Sequence, residues 1–519
     1  MGHRKITKIV LDKRTSYYIV AQYYTSQIQT RFKVIYPRIS QFSQVKSSSL
    51  VEGRATGLFK RFRLERLVKE AGISKVKGHE PMDMLLLMLL MILERSRSVY
   101  SGIISLQKRK LKNPLNNLLN NPNYNWRKLL YSVARRFAVL CPPPEGAVPV
   151  LIIDDTAKVK TGRKGEHTAW FVDHCKKVYY IGFQVIVSVW SNGIKSIPLD
   201  LEFKIGNSKV KHAAKGHYHK GTHTRTREGM GKQKKLDIAV SFIKRALQRR
   251  FVFDYVLWDS WYNSSRSLRF VFDTLVGRGI NLIAMQKRDK QKYLYNGQYL
   301  AVKQLYKKAG KFSIQNETGI KFKSLVATVL DKRGGSDFAE QKHLGQVRMC
   351  FFKYPGIKGF KVIISTDREL SELEILELYL RRWAVEVVFR DLKQHFGFDQ
   401  SKSSKYAPQI ADLTIRCVFY ILFCSLGYQH PEKSTEQLLI EFHLEMQENW
   451  LDILCKIVFH HEAKSFLRYA LRQGYKDVGS LLVDLDTVIF KFFDNDWGDD
   501  KLEELDNHEF TRFKYRFAS

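Results

Sequence analysis

The hydrophobic period of this chain changes at Pro142-Pro143-Pro144, and that change limits the folds open to it. Before the prolines, apolar residues recur at helical spacing. After them come short apolar runs bounded by turn residues, which is the pattern of strands. Residues 148–153 read as a first buried strand, and 178–190 and 194–203 flank a Ser191-Asn192-Gly193 turn as a hairpin. Helical spacing returns through Leu236, Val240, Ile243 and Leu247, followed by a strand over 253–258, a helix capped near Asn263 and a strand over 280–285. Strand, hairpin, helix, strand, helix, strand in that order predicts an α/β core that starts near residue 148.

Residues 289–360 lose the helical period and are rich in Tyr, Phe, Lys and Gly, as a β-rich insertion would be. Buried-strand composition resumes over 361–366, and a long helix is expected from Leu373 to Phe396. The remainder reads as helical and includes an acidic stretch over 494–509. The expected organisation is therefore a helical, basic N-terminal region (1–147), a first core segment (148–288), the insertion (289–360), a second core segment (361–430) and a helical C-terminal region (431–519). The segment 204–235 holds His212, His217, His219 and His223 among many Lys, Arg and Gly, and is expected to be a DNA-facing or disordered basic loop.

Charge narrows the partner. Lys and Arg number 87 against 51 Asp and Glu, a net charge of +36, which makes a strong positive field and calls for a polyanion. An anionic membrane is the weaker choice. The apolar run from Met84 to Leu93 is about half of the ~20 residues a span needs, the run over 414–428 contains Arg416, and the N-terminus has no continuous apolar leader. Both runs are expected to be buried helices. The six cysteines lack zinc-finger or CxxC spacing and read as reduced thiols. The expectation is a cytoplasmic, nucleoid-associated protein whose partner is double-stranded DNA, contacted in part by the N-terminal region through segments such as Lys60-Arg61-Phe62-Arg63 and Lys108-Arg109-Lys110.

Phosphodiester chemistry commonly uses two divalent ions ~3.5–4 Å apart, held by carboxylates from different elements. Asp154 and Asp155 end one apolar run, and Asp259 ends another, each at a strand terminus where open α/β sheets bind ligands. In the helix expected after residue 373, Tyr379, Arg382, Glu386 and Lys393 fall on one stripe about 60° wide at 100° per residue. Apolar stripes lie on either side, through Leu376, Leu380, Trp383 and Val387 and through Leu378, Val385, Phe389 and Leu392. A helix apolar on two sides is largely buried, so its polar stripe is expected to face a cleft.

The spacing Tyr379-x2-Arg382-x3-Glu386-x6-Lys393 resembles the YREK motif of the insertion sequence four family of DDE transposases. LWDSWY around Asp259 and IIDDT at 152–156 are similar to that family's second and first acid motifs. The resemblance covers about 148–428. It implies an RNase H-like mixed α/β sheet with helices, interrupted between Asp259 and Glu386 by a β-rich insertion domain. It implies further that Asp154, Asp259 and Glu386 bind two Mg²⁺ or Mn²⁺ ions, that Tyr379, Arg382 and Lys393 hold DNA phosphates, and that a homodimer acts on inverted-repeat ends and target DNA. The family's first acid stands two residues before a Thr or Ser, which favours Asp154; Asp155 is the alternative. Two other readings stand beside cut-and-paste transposition: a structure-selective nuclease on the same fold, such as a resolvase, and a non-catalytic DNA-binding protein derived from a transposase. Retention of all three acids argues against the second.

Overall fold

The structure, a computed structural model, describes residues 54–444 except 76–77, 94, 97–110, 174–176, 207–209, 290 and 332–340. The basic segment at Lys108, the cysteines 175 and 455 and the acidic stretch over 494–509 lie outside the described residues. Gly57–Leu444 forms one compact unit.

One mixed sheet of twelve strands organises the unit. Its centre is β1 (Val150–Val159), antiparallel to β3 (Val178–Ser191) on one side and parallel to β5 (Tyr255–Trp258) on the other. At its edge, β3 also carries β2 (Ala169–Asp173) and β4 (Ser196–Lys204). The expected hairpin is present, and Asn192 shapes its turn by accepting the Ile194 and Lys195 amides while Gly193 takes φ +96°. Beyond β5 come β6 (Asn281–Met285), parallel, and β12 (Lys361–Ser365), antiparallel.

The β-rich segment provides β7 (Lys292–Tyr295), β8 (Gln298–Ala301), β9 (Ser313–Ile314), β10 (Lys321–Asp331) and β11 (Lys342–Lys353). These strands continue the same sheet, because β11 pairs with β12 from Arg348↔Ser365 to Phe352↔Lys361. A short helix, Val302–Lys308, lies among them.

Before β1 the described helices are α1 (Arg54–Phe62), α2 (Leu64–Glu70), α3 (Pro81–Leu93), α4 (Lys112–Asn120) and α5 (Trp126–Leu140). Helix α5 packs on β4 and on the long helix Tyr406–Gln429. That helix, αC, is long and apolar enough to cross a membrane, but 94% of its apolar window is buried inside the protein. Its Arg416 is satisfied internally by Asp412 at 2.9 and 3.0 Å and by the carbonyl of Phe396. Cys141, Cys350, Cys417 and Cys424 are buried free thiols.

Two local expectations are corrected and two are refined. The segment 204–235 is not all loop: α6 (His223–Gly231) starts at a Thr222 cap and packs on β4, burying Arg227 and Glu228, because ion pairs give its charges a place in the interior. In α7 (Lys235–Gln248) the buried face is Ile238, Ala239, Phe242, Ile243 and Ala246, while Leu236, Val240 and Leu247 are half-buried. This helix carries apolar residues on more than one stripe, so period alone does not choose the face. The helix after β5, α8 (Ser265–Phe270), is capped next to Asn263, by Ser264 in a reciprocal capping box with Ser267, while Asn263 donates to Gln286 at 2.7 Å. The expected helix over 373–396 is α9 (Glu372–Leu380), a 3₁₀ turn (Arg381–Trp383) and α10 (Ala384–Gln394).

Candidate active site

The parallel ladder between β1 and β5 ends at Ile153↔Trp258. One step further along each chain lie Asp154 and Asp259, side by side at the carboxyl edge of the parallel strands. Strand β1 does not stop at its acids, as expected from the sequence, but continues to Val159 against β3, which supplies the backbone partners that β5 no longer offers.

Residues in a strand alternate between faces, so Asp154 and Thr156 share one face and Asp155 takes the other. The α9–α10 arm covers the first face. Its Arg382 Nη1 donates to Asp154 Oδ2 at 2.6 Å, and its Lys393 Nζ donates to Thr156 Oγ1 at 2.7 Å. Glu386 Oε1 lies 3.8 Å from the same Arg382 nitrogen. Arg381 anchors the arm by donating to the Val148 carbonyl at 3.2 Å. Asp259 turns back to accept the Ser260 amide. Tyr379 is 6% exposed and sits within the fields of Arg382, Asp259 and Asp154.

Asp155 is fully engaged on the other face. It accepts from Gln184 Nε2 at 2.5 Å and Tyr262 Oη at 2.9 Å, and pairs with Lys235 of α7. Sequence pattern singles out none of these three partners. Tyr262 lies in the same LWDSWY motif as Asp259, but nothing in its spacing foretells which acid it meets.

The two apolar stripes of the arm are not equivalent. Leu378, Val385, Phe389 and Leu392 are buried as expected, whereas Leu380 and Trp383 are 58% and 64% exposed. A 3₁₀ turn advances each residue by roughly 20° more than an α-helix does, so three such residues rotate the next helix by about 60°. The rotation turns Trp383 outward and keeps Arg382, Glu386 and Lys393 toward β1.

Arg382 is the electrostatic centre of the site. Burial alone would lower its pKa, and the fields of Asp154, Tyr379, Asp259 and Glu386 more than reverse that. Burial pushes Asp154 up to about 7; Arg382 opposes the rise, while Asp155 and Glu386 add to it. Burial likewise raises the Tyr379 phenol to about 12, despite Arg382. Among the described residues, no three acids, histidines or cysteines stand close enough together to hold a metal as they are. The cation between the acids is the Arg382 guanidinium. Three hard carboxylates from different elements around one cation are the donor set that suits a divalent ion such as Mg²⁺.

The Asp154 shift has a measurable consequence for folding. Its folded pKa of about 7 lies above the ordinary carboxyl value of 3.8, so the folded state holds the proton more tightly. The contribution to stability is full below about pH 4 and is lost as pH rises toward 7. Urea titrations of the metal-free protein at several pH values should show this decline, and Asp154→Asn should flatten it. An unchanged slope in that variant would assign the decline to other groups.

A family model described as the transposase DDE domain matches residues 230–422, and one described as DDE superfamily endonuclease matches residues 71–299. The chain is similar to DDE-superfamily transposases and endonucleases. Asp259 lies in both matches, Asp154 and Asp155 in the second, and Tyr379 to Lys393 in the first. Together they support a transposase-like nuclease. No curated protein matches the chain. Among solved structures, the NurA nuclease from Sulfolobus solfataricus is 12% identical over 56% of this chain and 97% of its own, with a TM-score of 0.20, which is too low to bear on fold or function.

Proposed function

We propose that this chain is the transposase of an insertion-sequence element of the insertion sequence four type, with an RNase H-like core, which cleaves the ends of its element and joins them to target DNA. The observation that carries the reading is the meeting of Asp154 from β1, Asp259 from the turn after β5 and Glu386 from α10 around one cationic group. In this reading Asp154, Asp259 and Glu386 hold two Mg²⁺ or Mn²⁺ ions. When bound, such ions supply Lewis-acid activation of water, and later of a 3′-hydroxyl, for in-line attack on phosphorus.

The chain's own residues do the positioning. Arg382 exchanges its carboxylate partners for a phosphate oxygen beside the scissile bond, Lys393 leaves Thr156 for a neighbouring phosphate, and Tyr379 fixes the guanidinium plane from below. Asp155 is assigned to structure, because its oxygens already serve Gln184, Tyr262 and Lys235. End recognition is assigned to the basic N-terminal region and pairing of two copies to the C-terminal region, in a cytoplasmic protein bound to the nucleoid. The net charge of +36 supports a DNA partner.

The test is incubation of the full-length protein with Mg²⁺ and DNA carrying the inverted repeats that flank its gene. Cleavage at the repeats followed by strand joining is expected; cleavage at branched DNA without joining would favour a structure-selective nuclease, and no cleavage would overturn the enzymatic reading.

Arg382→Ala and Lys393→Ala should each weaken binding to specific and non-specific DNA alike, reducing the salt slope of log affinity by roughly one per lost contact. Cleavage should fall further, on the order of a hundredfold, because a phosphate displaced by ~1 Å loses in-line geometry. Gel-shift titrations at several salt concentrations, with single-turnover cleavage, measure both effects. Wild-type behaviour in the two variants would leave these cations as internal ion-pair and hydrogen-bond partners only.

A further inference from the structure

Outside the carboxylate site, a cavity of about 140 Å³ opens between α5, α6, α7 and the start of αC. Arg127 of α5, Arg227 of α6 and Arg245 of α7 all line it. Charged side chains are seldom buried without partners, and the partners here come from alternate positions of β4. Asp200 accepts from Arg127 at 3.0 Å, Arg245 at 2.7 Å and Tyr131 at 3.1 Å. Glu202 accepts from Arg227 at 3.0 and 3.1 Å and pairs with Arg127. Burial opposes ionisation of Asp200, but the three arginines hold its pKa below the usual carboxylate value.

The charges do not balance. Three guanidiniums face two carboxylates. The next acid, Glu228 of α6, is occupied by Arg225 and Lys232 at 2.5 Å each, with the His167 ring 3.6 Å away. Half-buried Lys128 and exposed Arg249 also line the cavity and add positive charge at its mouth. Burial and the nearby Arg127 lower the pKa of His223 at the same wall.

Two donors in the lining lack partners, and both are buried: Arg245 Nη2 and the indole N–H of Trp126, whose side chain is 4% exposed. A buried donor without an acceptor is costly, and a buried excess of positive charge is costlier still. Both deficits are met by one anion with several acceptor oxygens. At roughly 30 Å³ per water molecule, the cavity has room for a single tetrahedral anion with a few waters.

We propose that this cavity is a phosphate-binding site, in which Arg245, Trp126, Lys128 and Arg249 take one phosphate group, either from a DNA backbone or free in solution. Asp200 orients the Arg245 guanidinium beforehand, so that its remaining Nη2–H faces the ligand at little ordering cost. The site draws on α5, α6, α7 and β4 and uses none of the residues assigned to cleavage.

The test uses the full-length protein and inorganic phosphate as probe, against sodium chloride at equal ionic strength, followed by calorimetric titration and thermal unfolding. Saturable binding of phosphate and a rise in Tm are expected, weakened ~10-fold in Trp126→Phe and in Arg249→Ala, the order of one charge-assisted hydrogen bond. Trp126→Phe keeps an aromatic side chain and every charge while removing the indole N–H, so its effect cannot come from altered net charge. A gel shift with a short duplex separates the sources. If the ligand is a backbone phosphate, the same variants bind the duplex more weakly and Arg249→Ala lowers the salt slope by about one. If it is free phosphate, the variants lose phosphate binding and bind duplex as wild type does. Absence of phosphate binding beyond the chloride control, together with unchanged duplex binding in both variants, would overturn the proposal.

Discussion

Asp259→Ala and Glu386→Ala should each reduce Mg²⁺-dependent cleavage of the element's end DNA by about a thousandfold or more, because losing one hard ligand forfeits several kcal/mol of transition-state stabilisation. Binding of the same DNA in Ca²⁺ or without metal should be unchanged or slightly tighter, since each substitution removes a negative charge beside the phosphates. Asp154→Asn should match them. Asp155→Asn should behave differently: it loosens the contacts to Lys235, Tyr262 and Gln184, lowering stability while cleavage survives where the protein stays folded. The opposite faces of β1 make this contrast sharp. Single-turnover cleavage measured beside a gel shift reads all four variants, and near wild-type cutting by Asp259→Ala or Glu386→Ala would reject the triad.

The second large effect concerns folding. Asp412→Ala should destabilise the protein by about 3–5 kcal/mol, the cost of leaving a buried charge without its partner. Arg416 is 5% exposed and donates twice to Asp412; only the Phe396 carbonyl would remain for it. Replacing both residues together, Asp412→Leu with Arg416→Met, should recover much of the loss, because an apolar pair of similar volume needs no desolvation of charge. Urea unfolding monitored by tryptophan fluorescence tests both. A loss below about 1 kcal/mol in the single variant would mean that water reaches Arg416 and the pair is not a core element.

The buried pair also shows where reading the sequence succeeds. Arg416 within an apolar run marks that run as a buried helix instead of a span; the structure supplies its partner, Asp412, one turn away on the same face. Lys158 carries no such sign. It shares the face of Asp154 and Thr156 along β1, is fully buried, and donates to the Phe398 carbonyl, while burial lowers its pKa to about 8 against the pull of Asp412 and Asp399. A lysine in a strand-like stretch reads as exposed until the segment that covers it is known.

Local periodicity determined much of the rest. Strand composition locates β5, β6, β12 and the first half of β1, and helical spacing predicts a shared stripe for Tyr379, Arg382, Glu386 and Lys393, because both depend on backbone geometry between near neighbours. Asp154 and Asp155 necessarily point to opposite sides for the same reason. Only the tertiary structure decided which side meets the α9–α10 arm, that a 3₁₀ turn rotates Trp383 into solvent, and that Arg127, Arg227 and Arg245 gather on Asp200 and Glu202. Those outcomes depend on which distant surfaces pack together and on where buried charge finds a partner, and the spacing of residues along one segment carries no information about either.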